Sequence, residues 1–193
     1  LRLTFHRDND RPLLTNGAAD WLWPEAERLG MPVMIHAPER LPVIGAIAER
    51  HPDLKLIVDH MGFARETMDE EAKAGASRIL ALARHPNISV KMSALPCYST
   101  QAYPFRNLHE PLKRIIGGFG VRRSFWGSDL SRLPAGCSYR QAVTMFTREL
   151  DFLSGSDLEW VMGRGIMECL SWADPPLEIK SVCIVAGGQP CGV

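Results

Sequence analysis

The sequence is poor in the features that mark most specialised chains. Lysine and arginine number 22, aspartate and glutamate 22, and the formal net charge is +0. That balance excludes the basic footprint of a nucleic-acid binder and the polybasic patch of a membrane-surface protein. No apolar run approaches the roughly 18 residues that a membrane-spanning helix requires, and no signal-peptide pattern opens the chain. The five cysteines, Cys97, Cys137, Cys169, Cys183 and Cys191, are odd in number and contain no Cys-x-x-Cys pair. This argues against a zinc ribbon and a disulfide scaffold and suits a reducing cytosol, so a cytoplasmic location is expected. A starting methionine is also missing. Leu1 opens "LRLTF", which reads as a strand already under way, and the chain is expected to be a fragment or the product of a gene that lost its beginning. Its 193 residues can hold one substantial core, or most of one larger domain.

What the chain does have is a series of short apolar runs. Leu1 to Phe5, Pro32 to His36, Leu54 to His60, Ile88 to Ser93 and Ser124 to Asp129 read as strands. Their starts lie about 22 to 36 residues apart, the spacing of repeated strand–helix units with parallel strands. The segments between them carry a helical period with one apolar face: Ala18 to Leu29, Leu41 to Arg50, Asp69 to Arg84 and Leu108 to Gly117. Two more helical segments follow, Tyr139 to Leu153 and Ser156 to Leu170, the second with Ser156 as its expected cap and Glu159 in a capping box. The stretch from Leu177 to Val193 has no period and is expected to be an irregular tail.

A weak internal echo locates one end of the array. "AERHPDLKLIVDH" and "LARHPNISVKMS" each end a helix in Arg-His-Pro, turn at Asp53 or Asn87, and enter a strand. His51 and His85 therefore belong to the helix-to-strand end and receive no chemistry. "GGFG" at Gly117 to Gly120 precedes a strand, so it is a turn and no phosphate cradle. The aromatic loop Pro96 to Asn107 reads equally as a lid or as packing over the opposite end.

In such arrays functional groups collect where strands exit toward helices. The first exit carries His6, the second His36, the third Asp59 and His60, the fourth Lys91 and Ser93, the fifth Ser128 and Asp129. Singly, each is more simply a hydrogen-bonded strand-end residue or a loop cap. Together they lie at one end of successive strands. Two imidazoles and a carboxylate there suit a borderline divalent ion such as zinc or manganese.

"MPVMIHA", "HPDLKLIVDHMG", "HPNISVKMSAL" and "FWGSDLSR", in this order, resemble the amidohydrolase-related family of metal-dependent hydrolases, over about Leu1 to Trp172. The resemblance implies a (β/α)8 TIM-barrel fold, here incomplete, with strands four to eight and their helices present. Residues 1–174 would be the C-terminal part of that barrel and 175–193 the tail. It implies His36, His60 and Asp129 as ligands of one divalent metal, with Asp129 also the general base that activates water; a metal-free mechanism stays open. Arg2, Lys91, Ser93 and Arg132 would meet the substrate, Arg2 through its planar fork. An ion pair for Arg2 and a solvated place for Arg132 are equally simple readings. The His-x-His that ends the family's first strand is missing here.

The activity implied is hydrolysis of a small carbonyl substrate, such as a lactone or ester of a carboxylated compound. Two alternatives stand beside it: non-oxidative decarboxylation on the same scaffold, and an inactive remnant that needs its missing half. The partner expected is a small-molecule substrate, with no nucleic acid and no membrane, and with homo-oligomerisation left open.

Overall fold

In the computed structural model of the chain, residues 1–134 and 137–173 are described. Five parallel strands form one sheet in sequence order: β1 (Arg2–Thr4), β2 (Val33–His36), β3 (Leu56–Val58), β4 (Ile88–Ser93) and β5 (Ser124–Gly127). Sequential order with right-handed crossovers places the connecting helices on one side, as along an arc of a barrel wall. Those helices are α1 (Leu22–Arg28), α2 (Leu41–Arg50), α3 (Asp69–Leu80) and α4 (His109–Phe119). After β5 come α5 (Tyr139–Thr144), α6 (Gly155–Glu159) and α7 (Gly165–Leu170). None of the helices is long and apolar enough to cross a membrane.

The expected strands all occur: Ile88–Ser93 keeps its expected bounds, and the other four are shorter at one or both ends. The long helices expected after β5 are instead broken by π-type turns at Met145–Glu149 and Trp160–Arg164. The capping box also lies elsewhere. Ser138 accepts from the Gln141 amide and Gln141 reaches back to the Ser138 N–H, whereas α6 begins after Ser154 without a side-chain cap. Within "GGFG", Gly117 and Gly118 continue α4, and only Gly120 (φ 77°) turns the chain. The expected tail, residues 175–193, lies outside the described residues.

Register decides which side chains share a face. Arg2 pairs with Met34, Met34 with Ile57, and Ile57 with Ser89; Val58 pairs with Val90 and Lys91 with Phe125. Val33, Ile35, Leu56, Val58, Val90 and Met92 pack into the main core beneath the helices, while Ile57 and Phe125 are buried outside that cluster. The alternate positions, including Arg2, His36, Lys91 and Ser93, therefore line the concave side. Gly127 lies on that side too. A Cβ there would come 2.7 Å from Lys91 Cε and 3.1 Å from Ser93 Cβ, so glycine leaves the room that the lysine stem needs.

At the opposite end, the two Arg-His-Pro junctions are held by polar side chains. Asn87 donates through Nδ2 to the carbonyls of Ala48, His51 and Leu54, at 2.9–3.2 Å, which stitches the end of α2 to the entry of β3. His51 pairs with Glu27 at 3.0 Å. Arg123 donates to the carbonyls of Ala83, His85 and Ile88. These contacts give His51 and His85 the structural surroundings expected of them.

Candidate active site

Three of the five strands leave the sheet through left-handed, non-glycine residues. After β3 come His60 (φ 51°) and Met61 (φ 56°), after β4 Ala94 (φ 59°), and after β5 Asp129 (φ 46°). Each such residue costs about 1–2 kcal/mol relative to ordinary backbone. The cost is offset by what the sharp turns place. His60, only 4% exposed, and Asp59, fully buried, turn back into the concave mouth instead of running on with the strand.

Asp59 is the centre of the cluster. Its Oδ2 accepts from Arg2 Nε at 2.9 Å and lies 2.7 Å from Arg2 Nη2; its Oδ1 faces Lys91 Nζ at 3.2 Å and Ser93 Oγ at 3.4 Å. Burial by itself would raise the Asp59 carboxyl, but His60, Lys91 and Arg2 together hold it below the usual carboxylate range. Asp59 is the one member of this cluster to which the sequence reading assigns no role. The signal was a carboxylate beside His60 at the end of an otherwise apolar strand.

His60 has its tautomer set by its neighbours. Arg2 Nη2 lies 3.3 Å from His60 Nε2, and a guanidinium has no lone pair to offer, so Nε2 accepts. Nδ1–H then donates to Ser93 Oγ at 2.8 Å, and the Ser93 hydroxyl donates to Asp59. Desolvation drives the imidazole down to about 4, outweighing the pull of Asp59, so His60 is neutral at physiological pH. His36 is lowered too, again chiefly by burial, and its Nε2–H donates to the Phe63 carbonyl at 3.1 Å. The two rings meet edge to face at 5.0 Å, and His6 lies beside His36 at 5.5 Å. The Oδ2 of Asp129 is buried without a hydrogen-bond partner among the described residues, 3.7 Å from His60 Nε2.

Of the residues expected at the site, Arg2, His36, His60, Lys91, Ser93 and Asp129 converge on this mouth. Arg132 does not. Its guanidinium instead donates to the Tyr98 hydroxyl at 3.3 Å and the Arg65 carbonyl at 3.1 Å. Tyr98 is fully buried and packs against Phe63, so the aromatic loop is packing at this position. A groove of about 750 Å³ between α2 and α3 lies on the outer layer and includes none of the mouth residues.

The expected divalent ion meets a different arrangement. Among the described residues no group of three or more His, Cys, Asp or Glu side chains is arrayed to hold a metal. His36 Nε2 is committed to a carbonyl and His60 Nε2 to Arg2, while two fixed cations already face Asp59. His36, His60 and Asp129 are thus neighbours but not a ligand set, and the donors do not fit zinc or manganese as they stand.

Comparison with known proteins places this geometry. The chain belongs to the amidohydrolase family, whose model matches residues 2–164. It is 36% identical over 101 residues to an L-fucono-1,5-lactonase of Burkholderia ambifaria, a match covering 50% of this chain and 33% of the lactonase. An amidohydrolase of Burkholderia multivorans with bound zinc superposes with a TM-score of 0.76 at 20% identity, covering 88% of this chain and 63% of that one. A putative 2-pyrone-4,6-dicarboxylic acid hydrolase of Pseudomonas putida gives a TM-score of 0.62 at 21% identity, with coverages of 91% and 64%. The five-stranded sheet is accordingly part of a TIM-barrel fold, and the chain spans less than two thirds of the length of these relatives.

Proposed function

We propose that the mouth hydrolyses a lactone of a carboxylated compound, with Asp129 as the general base. The observation that carries this reading is the Asp129 Oδ2, a buried carboxylate oxygen with an unused lone pair among the described residues, facing the neutral His60 across 3.7 Å. Asp129 takes a proton from water, and the water oxygen bonds to the lactone carbonyl carbon. The carbonyl electrons move to its oxygen, where the Lys91 ammonium stabilises the charge. The ring C–O bond then breaks and the leaving alkoxide receives the proton from Asp129, giving a hydroxy acid. Arg2, half exposed, offers its outer edge to a substrate carboxylate. Neutral His36 and His60 leave the positive charge of the site to Arg2 and Lys91. The lactone electrophile is supported by the names of the lactonase and the pyrone hydrolase that the chain resembles.

The test is Asp129→Asn, assayed with sugar-acid and dicarboxylate lactones. The expected result is a fall in kcat/KM of about 10²- to 10⁴-fold for whichever lactone the parent opens. A rate near that of the parent overturns the assignment of the base.

A further inference from the structure

Three acceptors gather in the mouth with no proton to share among them: Asp59 Oδ2, His60 Nε2 and Asp129 Oδ2. His60 Nε2 lies 3.4 Å from the first and 3.7 Å from the third. Its only ring proton is on Nδ1 and is given to Ser93. Lone pairs at such distances repel unless a positive group sits among them. A divalent ion would answer that need, but here the cation is a side chain. Arg2 Nη2 is 2.7 Å from Asp59 Oδ2 and 3.3 Å from His60 Nε2, and Arg2 Nε adds a second bond to Asp59 at 2.9 Å. Lys91 closes the other oxygen of Asp59 at 3.2 Å.

We propose that the Arg2 guanidinium is the resident cation of this site, occupying the place among Asp59 and His60 that a divalent metal would need, so that the chain excludes zinc from its mouth. The physical reason is charge and permanence. A guanidinium keeps its proton at any working pH and forms a fixed fork against the carboxylate. An incoming zinc ion would have to displace that fork and then face Lys91 across a poorly screened distance. Ser93 completes the arrangement, because the bond to His60 Nδ1 keeps the Nε2 lone pair turned toward Arg2. The inference stands apart from the hydrolytic reading, since its readout is zinc binding and needs no substrate.

The experiment is calorimetric titration of the full chain with zinc chloride, with metal content measured after dialysis. Parent protein is expected to show no zinc uptake that depends on His60. Arg2→Met, which keeps the length and apolar stem but removes the charge, is expected to bind zinc about a hundredfold more tightly than the parent. That gain should vanish in Arg2→Met combined with His60→Ala. Arg2→Lys, which restores a cation, should behave as the parent does. Stoichiometric zinc in the parent that His60→Ala abolishes would sink the proposal. So would an Arg2→Met protein that melts cooperatively yet binds zinc no better than the parent. Should Arg2→Met fail to fold, Arg2→Gln takes its place under the same criteria, and His60-dependent zinc in the parent or in Arg2→Lys still overturns the idea.

Discussion

The two faces of this sheet are built from the same strands, a single residue apart, yet they follow opposite rules. Beneath the helices, Val33, Ile35, Leu56, Val58 and Val90 are all 0–1% exposed and make only apolar contacts suited to burial. On the concave face, Arg2, Asp59, Lys91 and Ser93 are joined by directed bonds, and His36 donates to the Phe63 carbonyl. Apolar burial is non-directional and tolerates exchange among residues of similar volume. A buried polar cluster is satisfied as a whole or is costly, because each unmatched group keeps its full desolvation penalty. The helix-facing side therefore supplies stability, and the concave side uses part of it to hold charged groups in place.

The sharpest way to break this contrast is at Asp59. Asp59→Asn removes the charge that faces Arg2 and Lys91. Because Arg2 is half exposed, the expected cost is about 3 kcal/mol, at the lower end for a broken buried pair. Denaturant unfolding would show it, together with loss of lactone hydrolysis. A drop below about 1 kcal/mol would mean that the cluster is solvated after all. Ile35→Ala tests the other face. It should cost about 2–3 kcal/mol through cavity formation while leaving kcat per folded molecule unchanged.

Acid reaches the concave face more gradually, spread over a pH window. His60 titrates near 6.5 when unfolded and at about 4 when folded. Above pH 6.5 it is neutral in both states and carries no penalty. As pH falls from 6.5 toward 4 the unfolded chain binds the proton first, so stability declines across that window and levels off below it. The expected loss is on the order of 3 kcal/mol, measured by melting the protein across the pH range, and His60→Gln should flatten that slope.

The fold was largely legible because it rests on periodic signals. The apolar runs ending in His36, Asp59–His60 and Ser93 each contain a strand, and Leu41–Arg50 and Ile88–Ser93 were read with their observed boundaries. The helices after β5 were less legible. Period and capping patterns around Ser156 and Glu159 do not reveal where a π-type turn widens the backbone or which serine caps. At the site, strand-exit position was enough to gather His36, His60, Lys91, Ser93 and Asp129. It could not separate Arg132, whose guanidinium is taken by Tyr98 and the Arg65 carbonyl from distant loops. Nor could it assign Asp59, whose role comes from partners 32 to 57 residues away in the chain.

Alternation and spacing along the chain thus determined the parallel strand–helix array and the end at which polar groups collect, because those depend on local backbone period and on burial. Tertiary structure alone decided which cation faces which carboxylate, which imidazole nitrogen keeps its lone pair, and that the Arg2 guanidinium lies between Asp59 and His60. Those outcomes turn on distances of a few ångströms between strands, and on the desolvation that burial imposes, neither of which is written in the order of residues.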